Sequence, residues 1–390
     1  MDLLRVATVG TYPPTQCGIA TFGAALRSAM APGLDLPASP VIRTVDAGDT
    51  SPSRPEVSIE WHPGDPDAVT RIVEITSACD ALIVQHEFGI YDGFDGAAVV
   101  DLVARATVPV VVVLHTVPAA PSATQRAIIE ALGQLADVLV TLTDAARRRL
   151  VRDYAVGTAR VEVILHGATP NFPTFDEERR RRRADRPTLL TWGLIGPGKG
   201  LEHAIDAIAV LHELGHQPRY VIAGETHPKV RQHHGESYRE SLVARAADRG
   251  VERFVEFDDR YRSLEELAAL VRSADLVVLP YESREQVTSG VLVEALASAK
   301  PVVATEFPHA REALAGGAGL TVPHEDPHAL AHALHALLVD PTAIAAARAI
   351  AQRDGAAMFW PTIGRQYLTL ARSVVDAHEQ GTSFAIAVGR

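Results

Sequence analysis

The sequence predicts two successive α/β domains, each built on a mostly parallel sheet. Short apolar runs rich in β-branched residues recur along the chain with amphipathic stretches between them, a pattern typical of βαβ units. The 390 residues, 47% of them hydrophobic, suffice for two cores. From Gly167 to Pro187, prolines and a dense charge run interrupt the periodicity, as expected of an interdomain connection. We therefore predict two Rossmann-like domains facing across a cleft.

The first domain is predicted to span residues 1–170. Each of its strands is a short apolar run, and polar or glycine-containing stretches separate these runs. The predicted strands are Leu4–Val9, Pro40–Val45, Ala81–Gln85, Val108–Leu114, Val138–Thr141 and Val161–Ile164.

The second domain is predicted to span residues 171–358, with the helical stretches Leu264–Ser273 and Ala329–Leu338 among its strands. The tail, residues 359–390, is expected to pack back on the first domain through a helix near Met358–His378. The predicted strands are Thr188–Trp192, Tyr220–Ala223, Phe254–Glu256, Leu276–Pro280, Pro301–Ala304 and Gly319–Val322.

Composition excludes several classes of protein. A formal net charge of −11 argues against a nucleic-acid binder, which needs a clustered positive face. No apolar run approaches the roughly 18 to 20 residues that cross a bilayer. The basic cluster Arg179–Arg183 is interpreted as solvated surface, with peripheral contact to anionic lipid as the alternative. The start of the chain carries no signal-peptide pattern and only Cys17 and Cys79 are present, so we expect a cytoplasmic location.

The segment Gly10–Thr21 follows the first predicted strand as a loop punctuated by glycine and proline that opens a helix. Glycine lets backbone amides approach a ligand, and a helix N-terminus favours negative charge. A tight structural turn is the alternative reading. The segment is neither a G-x-G-x-x-G dinucleotide fingerprint nor a P-loop, which disfavours redox chemistry with a nucleotide cofactor and nucleotide hydrolysis.

Histidines end two buried strands of the first domain. His86 follows the strand at Ala81, and His115 follows Val108–Leu114. A lone histidine is more often structural than catalytic. In open α/β sheets, however, ligands bind beyond the carboxyl ends of strands, which favours a functional reading for these two.

Two further segments mark the second domain as a binder of phosphate. Gly193–Glu202 is a glycine-rich loop with one lysine, Lys199, at a helix start, and its amides and charge suit a diphosphate. Tyr281–Leu296 is a polar loop leading into a helix predicted to begin near Thr288, with Glu294 about two turns on. The amides of this start and the hydroxyls of Thr288 and Ser289 suit phosphate oxygens, and a carboxylate suits ribose hydroxyls. An exposed lysine and an ordinary capped helix are the alternatives.

Taken together and in this order, these segments resemble the retaining glycosyltransferases of family 4, and the resemblance covers nearly the whole chain. It implies the two-domain B-type glycosyltransferase fold. It also implies that Gly18 lies near the donor phosphate and the acceptor, that His115 contacts the transferred sugar and that Lys199 binds the diphosphate. Thr288, Ser289 and Gly290 belong to the same phosphate site.

The resemblance further implies that Glu294 binds the ribose and that the residue eight positions before it binds sugar hydroxyls. That position is Gln286 where the family usually has glutamate, although Glu285 is adjacent. A glutamine amide still hydrogen-bonds hydroxyls. The segments Gly224–Pro228 and Gly235–Arg239 resemble a subgroup associated with bacterial polysaccharide or mannoside synthesis, in which glutamine is also found at this position.

A second departure is Leu194, which stands where the family usually has an arginine five residues before the lysine. The change removes a forked donor to the diphosphate. Arg260, Arg262 and Arg284 are candidates to replace it.

The expected function is retaining, metal-independent transfer of a hexose, of mannose or glucose type, from a nucleoside diphosphate sugar to a saccharide or glycoside. The base is expected near Phe257 and Glu294. We expect no cofactor beside the donor and no metal, since His227, His233 and His234 lack a cysteine partner and regular ligand spacing; the sequence leaves the oligomeric state open. The alternatives are a sugar-nucleotide epimerase of the same architecture, a non-catalytic two-domain sugar- or nucleotide-binding protein, and a transferase-like protein without activity.

Overall fold

The structure is a computed structural model that describes residues 2–182, 185–260 and 262–382, without the side chains of residues 180–182 and Lys229. The chain forms two compact units. The first comprises the residues up to Gly167 together with those from Trp360 onward, and the second is Ala168–Phe359. The predicted limits were 170/171 and 358/359. Residues 383–390 of the predicted tail lie outside the described residues.

The first unit contains a seven-stranded parallel sheet in the order β3-β2-β1-β4-β5-β6-β7. Its central strands are buried along their whole length, which explains their continuous apolar sequences. The strands are β1 Val6–Gly10, β2 Val41–Thr44, β3 Val57–Trp61, β4 Ala81–His86, β5 Val110–Leu114, β6 Val138–Thr141 and β7 Val161–Val163. The helices are α1 Gly18–Met30, α2 Ala68–Thr76, α3 Ala98–Arg105, α4 Ala123–Leu135 and α5 Asp144–Asp153.

Strand β3 is absent from the sequence prediction. It lies at the edge of the sheet, where most of its residues are only partly buried. Ser58 and Glu60 therefore interrupt its apolar pattern, and the register to β2 shifts between Val41 and Ile42. An edge strand with one solvated side lacks the continuous apolar run that reveals the central strands.

The second unit contains a six-stranded parallel sheet in the order β10-β9-β8-β11-β12-β13. Apolar residues of three of its helices share one core cluster with the sheet. The strands are β8 Thr188–Trp192, β9 Arg219–Ala223, β10 Val255–Asp258, β11 Leu276–Leu279, β12 Val302–Thr305 and β13 Gly319–Val322. The helices are α6 Phe175–Arg182, α7 Leu201–Glu213, α8 Pro228–His234, α9 Ser237–Asp248, α10 Leu264–Ser273, α11 Gly290–Ala297, α12 Pro308–Leu314, α13 Pro327–Val339 and α14 Pro341–Gly355.

The two parallel sheets confirm the predicted α/β class. The stretch predicted as a bare connection, 167–187, is corrected in one respect, because it contains α6. Glu177 of α6 accepts a 3.0 Å hydrogen bond from Nε of Arg272 in α10, which fastens the helix to the second unit. Within the basic cluster, Arg179 pairs with Asp176 at 3.5 Å, and residue 183 lies outside the described residues.

Helix α15, Trp360–Glu379, returns to the first unit and packs along α1. A glycine permits this close approach. A Cβ atom on Gly364 would lie 2.4 Å from the carbonyl oxygen of Ala29, well inside van der Waals contact. The apolar face of α15, including Ile363 and Tyr367, joins the core of the first unit.

We expect Gly364→Ala to destabilise the first unit by about 1–3 kcal/mol, the usual cost of overpacking. In an open helix the same change is stabilising, because alanine loses less backbone entropy than glycine. Urea unfolding measures the effect, with Gln366→Ala on the exposed face of α15 as the control. A Gly364→Ala variant as stable as the wild type contradicts the tight α1–α15 contact.

Candidate functional site

The second unit has its topological switch point between β8 and β11, where the strand order reverses. Open α/β sheets bind ligands at this place, beyond the carboxyl ends of the strands. The loops that follow the two strands touch each other here. The amide of Glu282 donates a 3.0 Å hydrogen bond to the carbonyl of Gly198. A Cβ atom on Gly200, which has φ +64°, would lie 1.9 Å from the carbonyl oxygen of Pro280, so only glycine fits.

Lys199 lies in this contact. Its ammonium nitrogen is 4.5 Å from the centroid of the Tyr281 ring, and Tyr281 is buried and stacks on Phe307 with the centroids 5.4 Å apart. Burial lowers the pKa of Lys199. Within the described part of the chain, no carboxylate pairs with this ammonium group. A positive charge on an aromatic face, without a counter-ion, is well suited to receive an anion.

Glu294, on α11, is held by the last residue of β8. Nε1 of Trp192 donates to its Oε2 over 3.1 Å. Burial raises the pKa of the Glu294 carboxyl group, and the hydrogen bond from Trp192 opposes that shift in part. A carboxylate has about four acceptor positions, so one donor leaves acceptors for ligand hydroxyls.

The start of α11 corrects the prediction. The helix begins at Gly290 rather than near Thr288, and Ser289 is its N-cap. Oγ of Ser289 accepts from the amide of Leu292 at 3.3 Å, and the amide of Ser289 donates to Nδ1 of His309 at 2.8 Å. Both groups of Ser289 are therefore engaged within the protein. The hydroxyl of Thr288 is buried and has no partner among the described residues.

The other predicted sugar-binding positions lie in the loop before α11. Nε2 of Gln286 donates to the carbonyl of Thr288 at 3.0 Å, which leaves its amide oxygen for a ligand. Glu285 is exposed. His309, which sequence reasoning missed, holds this loop through its own amide and through its ring. Its only sequence signal is its place shortly after β12.

That Phe257 lies near the base together with Glu294 stays a prediction. Phe257 lies on the edge strand β10, level with Ile222 of β9, and its ring packs against the apolar core. Trp192, which holds Glu294, is on β8, two strands away, or about 10 Å at the usual strand spacing.

The three arginines considered as replacements at Leu194 are all near carboxylates. Arg260 and Arg262 pair with Asp258, the former with Nε 3.1 Å from Oδ1. Arg284 is 3.9 Å from Glu325. Whether any of them replaces the missing arginine stays a prediction.

In the first unit, His115 follows β5 and Gln85 belongs to the neighbouring strand β4. Nε2 of His115 lies 2.7 Å from Oε1 of Gln85, and Phe22 meets the imidazole edge-on at 4.9 Å. Burial, together with the nearby His166 and His86, lowers the pKa of His115 to about 3. The ring is therefore neutral at physiological pH and acts through hydrogen bonds.

Two further predicted positions, Gly18 and His86, belong to this unit. Gly18 is the first residue of α1, which Cys17 caps by accepting from the amide of Ala20 at 3.4 Å. A Cβ on Gly18 would meet no atom within 4 Å, so the position is open. His86 is fully buried, its ring nitrogens have no partner in the described structure, and burial lowers its pKa to about 4.

Among the described residues, no group of three or more His, Cys, Asp or Glu side chains is placed to hold a metal ion. No single described helix has the length and apolarity to cross a membrane; the helices over 327–339 and 341–358, bent by 99°, pass that test only as a pair and only by length and composition.

Comparison with known proteins agrees with this architecture. Anabaena Alr3699/HepE, solved in complex with UDP and glucose, superposes with a TM-score of 0.75 at 17% identity over 95% of this chain and 100% of that one. A sucrose-phosphate synthase from Thermosynechococcus elongatus superposes with a TM-score of 0.74 at 18% identity, over 95% and 99%. The chain has the α/β two-unit architecture of the B-type glycosyltransferases.

Sequence comparison narrows the class. The family model of group 1 glycosyl transferases matches residues 186–340. A D-inositol 3-phosphate glycosyltransferase of Corynebacterium urealyticum is 31% identical over 63% of this chain and 59% of its own length. The alpha-D-kanosaminyltransferase of Streptomyces kanamyceticus is 29% identical over 53% and 52%. The chain thus spans little more than half of these relatives. Over residues 186–340 the chain is similar to the group 1 glycosyl transferases, and membership of the narrower family 4 stays a prediction.

Replacing Glu294 by glutamine is expected to stabilise the ligand-free protein at neutral pH. A carboxyl group whose folded-state pKa is raised binds more protons when folded, so its contribution to stability falls as pH rises through that range. The gain in melting temperature of Glu294→Gln over wild type should therefore be larger at pH 7 than at pH 4.5, by calorimetry. Glu266→Gln is the control, because the pKa of that carboxyl group is lowered and its charge stabilises the fold. A lower melting temperature of Glu294→Gln than of wild type at pH 7 contradicts the prediction that the charged carboxylate of Glu294 destabilises the ligand-free protein.

Proposed function

We propose that this chain is a retaining glycosyltransferase that moves a hexose from a nucleoside diphosphate sugar to a saccharide or glycoside acceptor. The observation that carries the proposal is the ammonium group of Lys199, which has no counter-ion among the described residues and lies at the switch point of the second sheet. The partly satisfied carboxylate of Glu294 is held at the end of β8 in the same unit. An unneutralised cation and a hydroxyl acceptor are the two groups that a nucleoside diphosphate requires.

In this proposal the second unit holds the donor. Lys199 and the first amides of α11, from Gly290, bind the diphosphate, and the charge of Lys199 stabilises the negative charge that develops on the leaving group. Glu294 accepts from the ribose hydroxyls. The amide oxygen of Gln286 and the carboxylate of Glu285 accept from sugar hydroxyls.

The first unit supplies the groups that meet the sugar and the acceptor. His115 contacts the transferred sugar through hydrogen bonds, because its ring is neutral. Gly18, open at the start of α1, lets the acceptor and the donor phosphate come close to the backbone. The chemistry needs no metal, because lysine and helix amides provide the electrostatic stabilisation. Retention of the anomeric configuration and hexose as the transferred group rest on the family resemblance.

The similar proteins guide the choice of donor. One solved neighbour binds UDP and glucose, while the similar sequences include a D-inositol 3-phosphate glycosyltransferase and an alpha-D-kanosaminyltransferase. UDP-glucose is therefore the first donor to test, and GDP-mannose is the second, because the sequence predicts a hexose of mannose or glucose type. A thermal-shift screen against UDP, GDP and ADP identifies the base, because a ligand that binds only the folded state raises the melting temperature by mass action.

The proposal predicts that Lys199→Ala weakens binding of the cognate nucleoside diphosphate at least tenfold, since one charge-assisted contact is worth about 1.5–3 kcal/mol. Isothermal calorimetry measures the affinity. Glu294→Ala should abolish transfer or raise the donor KM sharply in a nucleoside diphosphate release assay.

Arg219→Ala is the matched control for both variants. Arg219 begins β9, at the opposite end of the strands from the site, and pairs on the surface with Glu256 at 2.7 Å. It should leave affinity and turnover unchanged. Wild-type nucleotide affinity in Lys199→Ala, or normal kinetics in Glu294→Ala, would remove the donor site from this place.

A further inference from the structure

Gln85 is the buried fifth residue of β4, and its amide oxygen is the one hydrogen-bond partner of the His115 ring within the described structure. We propose that Gln85 is a positioning residue that keeps the proton of His115 on Nε2, so that Nδ1 offers its lone pair to a hydroxyl group of the transferred sugar. The inference rests on the proposed function, because it assigns chemistry to the histidine that meets the sugar there.

The tautomer follows from the donor and acceptor inventory. With Oε1 of Gln85 2.7 Å from Nε2 of His115, the Nε2 atom of His115 is the donor, because an amide oxygen only accepts. The Nε2 atom of Gln85 is buried and has no partner among the described residues, so the direction of this bond is the point that the tautomer measurement tests. A neutral imidazole carries a single N–H. His115 is neutral, because burial and the two neighbouring histidines lower its pKa to about 3. Nδ1 is therefore an acceptor.

The Nδ1 atom is available to a ligand. None of the described residues forms a hydrogen bond to this atom, and it is not fully buried. The ring as a whole is half-buried. One edge of the imidazole is thus fixed inside the protein, while the opposite nitrogen keeps contact with solvent.

The main chain and Cβ atom of Gln85 are held from two sides. Its main-chain carbonyl accepts a 2.6 Å hydrogen bond from the buried hydroxyl of Tyr91. On the neighbouring strand β1, Gly10 has φ +156°, and a Cβ atom on it would lie 2.8 Å from Cβ of Gln85. Position 10 therefore has to be glycine for Gln85 to keep its place.

Phe22 fixes the plane of the imidazole. Its ring meets His115 at 87° with the centroids 4.9 Å apart. The same phenyl ring touches His166 at 5.0 Å and Trp360 at 5.3 Å, so it has little room to move. With Gln85 on one nitrogen and the phenyl ring of Phe22 perpendicular to the imidazole, the orientation of the His115 ring is set.

This arrangement defines the chemical class of the group that His115 recognises. A neutral nitrogen with a lone pair accepts a hydrogen bond from a hydroxyl, whereas it offers nothing to a carboxylate, which only accepts. The transferred sugar therefore presents a hydroxyl, and not an acid group, to this position.

The tautomer is measured without any substrate. In full-length protein labelled with ¹⁵N-histidine, long-range ¹H–¹⁵N correlations distinguish the two neutral tautomers, and the His115 signals are those missing from His115→Asn. Wild type should show the Nε2–H form. Gln85→Glu keeps an acceptor oxygen and should keep that form, whereas Gln85→Met should populate both forms. An Nδ1–H form in wild type, or an unchanged tautomer in Gln85→Met, overturns the inference.

Turnover gives the second readout, with UDP-glucose and GDP-mannose as the donors tested. We expect Gln85→Met to lower kcat at least tenfold while the affinity for UDP or GDP, whichever binds wild type, changes less than twofold. Gln134→Met, at an exposed position of α4 in the same unit, is the control for the substitution itself. Full turnover in Gln85→Met contradicts the inference.

The two proposals fail in different ways. If wild type releases no nucleoside diphosphate from any donor, the proposed function fails, whatever the tautomer. If wild type turns over and Gln85→Met does so equally well, only the role of Gln85 fails. Should Gln85→Met fold poorly by its melting temperature, Gly10→Ala replaces it, because the added methyl group displaces Gln85 and should disturb the same tautomer.

Discussion

Close backbone contact at the ends of the strands is the constraint on which the candidate donor site depends. Position 200 has to be glycine, because its φ is +64° and the carbonyl of Pro280 occupies the place of a side chain. A second contact of this kind lies one strand away, where a Cβ on Gly224 would be 2.0 Å from the carbonyl oxygen of Gly193. The contact between Gly200 and Pro280 lies beside Lys199, whose ammonium group is over the ring of Tyr281. The backbone of the two loops, and not an ion pair, therefore positions the positive charge at the switch point.

The sheets were largely predictable, because parallel strands buried on both faces leave continuous apolar runs in the sequence. The predicted limits of Val138–Thr141, Thr188–Trp192 and Gly319–Val322 are those of β6, β8 and β13. Strand β3 was not predicted because its outer side is solvated. Helix α6 was not predicted because its charged sequence resembles that of a linker. In both cases polar residues on an exposed side conceal a regular element.

Of the candidate site, the sequence indicates which residues end a strand but not which residues they meet. Lys199, His115 and Glu294 were predicted from strand ends, from a glycine-rich loop and from family resemblance. Their partners are distant in sequence, as with Trp192, which is 102 residues from Glu294, and Gln85, which is 30 residues from His115. Such pairs arise from strand order, which no local pattern encodes. The start of α11 was predicted about two residues too early, a usual error at helix ends.

The return of α15 to the first unit has a consequence for biosynthesis. The second unit is one uninterrupted stretch, Ala168–Phe359, whereas the first is assembled from segments that lie on either side of it. During translation the N-terminal segment emerges first, yet α1 lacks the helix that covers it until α15 has left the ribosome. The second unit has therefore left the ribosome completely before the first unit has. In the usual order the N-terminal domain is complete first and folds first.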